Sequence, residues 1–236
     1  MKLHRLLGIT DSVRTVALVG GGGKTTSLLT LAGEAAAAGR RTAVLTTTHI
    51  GPPRRPYIDV LLSDDTDMIL RAWQQGRAVA AGRPAPDGRL QRPGQRVWDF
   101  IMENAEAIYV EADGAKGLPL KYPAVWEPAL PQEAELVLLL CGLTALDQPV
   151  DTFCHRAALM RERLGETGHL IDEELMARVL AAGYGAYRPR VVVNQADDGE
   201  LRRRGQRLAA LLAERGLTDS VVISLHNFLR ENGGVQ

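Results

Sequence analysis

The segment that most restricts what this chain can fold into runs from Thr15 to Thr26. An apolar stretch, Thr15–Val19, breaks at Gly20-Gly21-Gly22-Gly23 and gives way to Lys24-Thr25-Thr26, with helical composition continuing to Ala38. Successive glycines allow backbone conformations closed to other residues and let neighbouring N–H groups turn toward one point. A helix beginning directly behind them adds its unsatisfied N–H groups and the positive end of its dipole. An apolar strand that ends in such a turn and passes into a helix is a cradle for phosphate. Lys24 is placed to reach β- and γ-phosphates, Thr25 to set its hydroxyl on Mg²⁺, and Thr26 to bond an α-phosphate oxygen. The long form of this pattern opens on a glycine where the chain has Leu18.

The loop is instead similar to the shortened G-x-x-G-K-T-T form of Mur-ligase-like P-loop proteins. Around it, short runs rich in Val, Leu and Ile recur at Thr15–Val19, Thr42–Leu45, Ala107–Val110, Leu136–Leu140, Arg190–Val193 and Ser220–Ile223. Continuous apolar runs suit parallel strands covered on both faces. Helical composition separates them at Thr25–Ala38, Asp65–Gln75, Gln95–Glu106, Asp172–Ala182 and Glu200–Arg215, with Gly39 and Gly216 as C-terminal stops. The expected fold is α/β, a three-layer P-loop NTPase-like architecture with a mainly parallel central sheet. Pro-rich stretches at 51–56, 82–94 and 118–131 suit loops or a small hairpin on the rim. With no repeat and no linker, residues 1–236 read as one nucleotide-binding domain.

Charge narrows the partners. Lys+Arg and Asp+Glu both number 28, so no global field draws nucleic acid or an anionic membrane, and a small polyanion held at one place fits better. No apolar run approaches the roughly 18 residues needed to span a bilayer. Met1–Thr10 lacks a secretory pattern, which implies the cytoplasm. Cys141 and Cys154 lie in apolar surroundings without metal-ligand spacing and read as buried thiols.

A phosphate loop needs an acidic group on a neighbouring strand. Ala107–Val110 leads into Glu111-Ala112-Asp113-Gly114, and period two places both carboxylates on one side. Asp113 is expected on magnesium, with Glu111 beside it or acting as base; one of the two can instead cap a loop or pair with Lys116. Thr42–Leu45 ends in Thr46-Thr47-Thr48-His49, which brings hydroxyls and an imidazole to the carboxyl edge of the sheet, where open α/β folds bind ligands. Thr47 is a further candidate for magnesium and His49 for catalysis, against the plainer reading of β-forming threonines and a structural histidine.

After Arg190–Val193 comes Asn194-Gln195-Ala196-Asp197, similar to the N-K-x-D segment with which GTPases read guanine, though Gln195 replaces the lysine. Asn194 would orient the loop and Asp197 would accept from guanine N1 and N2. Ser224, after Val221–Ile223, falls where GTPases direct a backbone N–H to guanine O6. Helix capping explains the same residues more simply, so GTP and ATP both remain open.

Together, the G-G-G-G-K-T-T loop, Thr46–His49, Glu111-Ala112-Asp113-Gly114-Ala115-Lys116-Gly117, Glu127-Pro128 and Asn194–Asp197 resemble the YqeC family. That resemblance implies an accessory role for a selenium-dependent molybdenum hydroxylase, with that enzyme or its pterin cofactor as partner. It also singles out His155-Arg156, as a site for an anionic phosphate or as ordinary helix surface. Lys116 and Lys121 flank the acidic segment on a Pro-rich rim and suit a substrate-facing loop. The leading reading is a Mg²⁺-dependent NTPase. A small-molecule kinase or Mur-like ligase, and a nucleotide-gated binding module without turnover, are the alternatives.

Overall fold

A computed structural model of the protein describes residues 2–232. Its centre is an eight-stranded sheet. In chain order the strands are β1 Thr15–Gly20, β2 Thr42–Thr46, β3 Ile58–Leu61, β4 Ala78–Ala81, β5 Ala107–Glu111, β6 Leu136–Gly142, β7 Arg190–Asn194 and β8 Ser220–Val222. Across the sheet they run β8-β7-β6-β1-β5-β2-β4-β3, and every pairing is parallel.

The helices are α1 Leu3–Leu6, α2 Lys24–Ala37, α3 Thr66–Gln74, α4 Gln95–Asn104, α5 Val150–Phe153, α6 Ala157–Leu164, α7 Glu173–Tyr184, α8 Gly199–Glu214 and α9 Leu225–Glu231. Alternation along β1 shows how they cover the sheet. Val16 and Leu18 pack with residues of α1, α2 and α9 on one face. Ala17 and Val19 point to the other face, among residues of α7 and α8. Toward the opposite edge, Ala43, Leu45, Ile108 and Val110 meet α3 and α4. Three layers result, and strands buried on both faces must read as unbroken apolar runs.

Both edge-side strands, β3 and β4, escaped the sequence reading. Ile58–Leu61 includes Asp59, and Ala78–Ala81 is mostly alanine, which has low strand propensity; pairing with β2 overrides it. The Pro-rich stretch 82–94 contains a hairpin, Arg83–Pro84 with Leu90–Gln91, to which His49–Ile50 adds antiparallel. Within 118–131, Leu120–Lys121 pairs in parallel with Cys154–His155. Cys141 and Cys154 are both unpaired and buried, and burial pushes their thiols up to about 12, so neither is a nucleophile near neutrality.

Parallel strands bring their carboxyl ends to a single edge. β1 lies between β6 and β5, so Gly20, Glu111, Thr46, Gly142 and Asn194 gather there. Strand order reverses direction about β1, the kind of position at which open α/β sheets leave a crevice.

Candidate functional site

The glycine loop is shaped by its neighbours. Gly20, Gly22 and Gly23 have φ of 86°, 70° and 125°, values that side-chain-bearing residues avoid. The N–H groups of Gly21 and Gly22 donate to Leu140 O and Leu118 O, at 2.8 and 3.1 Å. A Cβ on Gly22 would lie 2.3 Å from Gly142 N, so the loop is pressed against the end of β6. Beyond that anchor, the N–H groups of Gly23, Lys24, Thr25 and Thr26 find no acceptor among the described residues, and α2 has no side-chain N-cap. Four open donors at an uncapped helix start, in a cleft of about 320 Å³, suit the oxygens of a polyphosphate.

Asn194 locks the loop to the far half of the sheet. Its amide donates to Gly22 O at 2.8 Å and accepts from Leu225 N at 3.0 Å. Asn194→Ala would leave both buried backbone groups unpaired, at roughly 1–3 kcal/mol each. Urea unfolding is expected to show a loss of about 2 kcal/mol or more, and a loss under about 0.5 kcal/mol would mean the clamp carries no weight. Asp197 accepts from Ser224 Oγ, and its carbonyl accepts from the Asn227 amide at 3.0 Å. Ser224 also caps α9 through Asn227 N. Asn194, Asp197 and Ser224 therefore form one cluster, but none of them lines the cleft at the loop.

The two carboxylates after β5 are distributed differently from the sequence expectation. Period two assumed that the strand continues, yet β5 ends at Glu111 and the chain turns. Glu111 lines the cleft, with Thr25 Oγ1 at 3.4 Å from its Oε2. Burial pushes its carboxyl up to about 7, with Asp113 adding to the rise and Lys24 opposing it. Asp113 is fully buried beneath the loop. Its Oδ2 accepts from Gly20 N at 3.0 Å and from the Tyr184 hydroxyl at 2.8 Å. Lys24 Nζ lies 3.1 Å from Oδ1 while donating to Gly20 O, so it contacts Asp113 as a charge without a well-aligned hydrogen bond. Glu111 lines the cleft at the loop, and Asp113 does not.

Lys121 departs from its expected place as well. It is completely buried, with Nζ 3.3 Å from Asp113, 3.1 Å from Glu127 and donating to Gly114 O at 2.6 Å. A buried ammonium between two carboxylates holds the loop's floor and is not a substrate-facing lysine. Lys116 is exposed at the cleft rim with φ 51°. His49 and Arg89 line the same cleft from the hairpin side. Thr47 is hydrogen-bonded to Glu111 O through its N–H at 3.1 Å and sits in adjoining clefts with His49. Arg156 forms a two-pronged pair with Glu127, both bonds 3.1 Å. Burial and the neighbouring cations Lys121 and Arg156 lower the pKa of His155.

Sequence reasoning missed Tyr184, Glu127 as an ion-pair partner, and Arg89. Burial and the Asp113 carboxylate push the Tyr184 hydroxyl well above its ordinary value, which keeps it a donor. No local pattern marks a tyrosine at a helix C-terminus for such a task. Among the described residues no three His, Cys, Asp or Glu side chains gather to hold a metal. Magnesium commonly needs only one or two carboxylates when phosphates and water complete its shell, and the Glu111–Thr25 pair can supply that. No helix among the described residues is long and apolar enough to cross a membrane.

A sequence model described as "YqeC protein" matches residues 16–158. The "Uncharacterized protein YqeC" of Escherichia coli (strain K12) is 30% identical over 120 residues, covering 45% of this chain and 43% of that protein. The match thus spans less than half the length of that curated relative. The matched region contains the glycine loop, Glu111, Asp113, Lys121, Glu127 and His155-Arg156, and stops short of Asn194 and Asp197.

Proposed function

The chain belongs to the YqeC family, and from that premise we propose that it binds a nucleoside triphosphate with Mg²⁺ at the Gly20–Thr26 loop and hydrolyses it. The observation that carries this reading is the row of four N–H groups, Gly23 to Thr26, without a partner among the described residues, above the buried Lys24. These donors would hold the phosphates, with Lys24 leaving Asp113 to meet the terminal one. Thr25 and Glu111 would hold the magnesium, which supplies charge neutralisation on the transferred phosphoryl group. Tyr184, Lys121 and Gly20 N keep Asp113 fixed, so that Lys24 has a defined resting partner. Two buried free thiols fit a reducing compartment, in keeping with a cytoplasmic protein. Maturation of a selenium-dependent molybdenum hydroxylase, or insertion of its pterin cofactor, is the pathway we propose for it, as the sequence resemblance implies. Phosphate release by the purified protein with Mg²⁺ and GTP or ATP tests hydrolysis. Slow release dependent on Lys24 is expected, and tight binding without release would make the protein a nucleotide-gated module instead.

Base choice is the second part of the proposal. Asp197 would read guanine through its carboxylate, with Ser224 holding one oxygen. Adenine would leave that acceptor facing an unprotonated ring nitrogen, a loss of roughly 1–3 kcal/mol. The wild type is expected to prefer GTP over ATP by about tenfold or more. Asp197→Asn should erase or reverse that preference, because an amide can donate where a carboxylate only accepts. Competition binding with GTP, ATP and xanthosine triphosphate measures it. Equal affinities in both proteins would reduce Asp197 to a partner of Ser224 and move the assignment toward an ATP-using enzyme.

A further inference from the structure

Beside the loop lies a second cleft of about 390 Å³ that shares His49, Arg89, Gly114 and Lys116 with the first. Its other walls include Thr48, Trp126, His155 and Arg156. The volume falls in the range of small-molecule sites. Trp126 is 70% exposed, an unusual position for the largest apolar side chain, and the Arg156 guanidinium sits 5.6 Å from its ring centroid. Among the described residues, Lys116 has no carboxylate partner and Arg89 is paired only with exposed Asp87, outside the cleft. Among the described residues, Glu127 is the one carboxylate in the wall, already shared by Lys121 and Arg156. Lys116 and Arg156 both hold left-handed backbone, at φ 51° and 66°, which non-glycine residues adopt sparingly. Burial first, and then the Lys121, Arg156 and Lys116 cations, lower the pKa of His155 beside them.

We propose that this cleft is a second ligand site, for a small planar ring carrying a phosphate or carboxylate, and that its occupancy opposes nucleotide binding at the loop. The ring stacks on Trp126 and the anion meets Lys116 and Arg156. The antagonism follows from a chain of alternating charges joining the two clefts. Lys24 meets Asp113 at 3.1 Å, Asp113 meets Lys121 at 3.3 Å, and Lys121 meets Glu127 at 3.1 Å. Glu127 meets Arg156 at 3.1 Å and closes the chain. Phosphate at the loop draws Lys24 off Asp113, which then leans on Lys121. Glu127 loses part of Lys121 and holds Arg156 harder, so Arg156 has less to offer an anion. Run in reverse, an anion on Arg156 tightens the hold of Asp113 on Lys24. Two anions competing for Lys116 and Arg89 push in the same direction. By linkage the effect is equal in both directions.

The antagonism rests on the nucleotide reading; the site itself does not. Tryptophan fluorescence reads the site directly, since Trp73 and Trp98 are only 8% and 3% exposed and a quencher in the cleft meets Trp126 alone. Titration of the full chain with 4-nitrophenyl phosphate, without nucleotide, is expected to give saturable quenching that disappears in Trp126→Phe and weakens about tenfold in Lys116→Ala. 4-Nitrobenzoate separates carboxylate from phosphate preference, and inorganic phosphate should compete. Quenching that does not saturate, or that neutral 4-nitrobenzyl alcohol reproduces with equal strength, overturns the site. With Mg²⁺ and a non-hydrolysable triphosphate present, the apparent Kd for 4-nitrophenyl phosphate should rise about fivefold or more. A triphosphate that raises the melting temperature yet leaves or improves that Kd overturns the antagonism. A triphosphate that causes no melting shift overturns the nucleotide reading and the antagonism with it, while the titration without nucleotide still decides the cleft.

Discussion

Lys24→Ala should abolish most of the thermal stabilisation that Mg²⁺ and a nucleoside triphosphate confer on the wild type, and should lower phosphate release by on the order of 10²–10³. A ligand at a hundredfold excess over its Kd adds about 2.7 kcal/mol to a folded state that alone binds it. For a chain of this length that corresponds to a rise of about 5–10 °C in Tm. The ammonium is buried against Asp113 and Gly20 O, immediately under the open N–H groups of the helix start. Its removal takes away the one cation within the loop itself, while Lys121 still balances Asp113 and protects the fold. Scanning both proteins with and without nucleotide checks this. An undiminished shift in Lys24→Ala would place the phosphates elsewhere.

Glu111→Gln should make the protein without nucleotide more stable near neutral and alkaline pH, while removing its response to magnesium. Burial pushes Glu111 up to about 7 from an ordinary 4.5. Between those values the folded protein keeps a proton that the unfolded chain has released, so stability falls as pH rises through the window. Each unit of difference is about 1.4 kcal/mol, and the full effect is reached above the folded value. Glutamine stays neutral and keeps an acceptor for the Thr25 hydroxyl. The variant should gain on the order of 1–3 kcal/mol over the wild type at about pH 8 and nothing at about pH 4.5. Urea unfolding across that range measures it. A variant less stable than the wild type at alkaline pH would show that Glu111 is a structural anion and not a carboxylate held ready for a cation.

The fold was legible where apolar runs coincide with strands buried on both faces, as at Ala17–Val19 and Leu138–Leu140. It was illegible at Ala78–Ala81, where neighbouring strands decide and residue preference does not. In the site, the loop could be read locally because its chemistry lies in consecutive residues. The roles of Glu111 and Asp113 depended on where β5 stops, a matter of register with β1 and β2 that two residues cannot encode. Lys121 looked like a rim lysine beside prolines; the carboxylates that bury it, Asp113 and Glu127, approach only after the chain folds back. Tyr184 reaches Asp113 across a separation of 71 residues and left no trace in the sequence.

Calorimetric titration of the wild-type chain with GTP and with ATP, each with and without Mg²⁺, tests the central claim most directly. The account predicts saturable binding of one triphosphate per chain, tighter with Mg²⁺, with GTP the better ligand and Lys24→Ala the silent control. Absence of heat and of competition for either triphosphate at millimolar concentration would contradict it, and would leave the four open N–H groups above Lys24 without the ligand assigned to them.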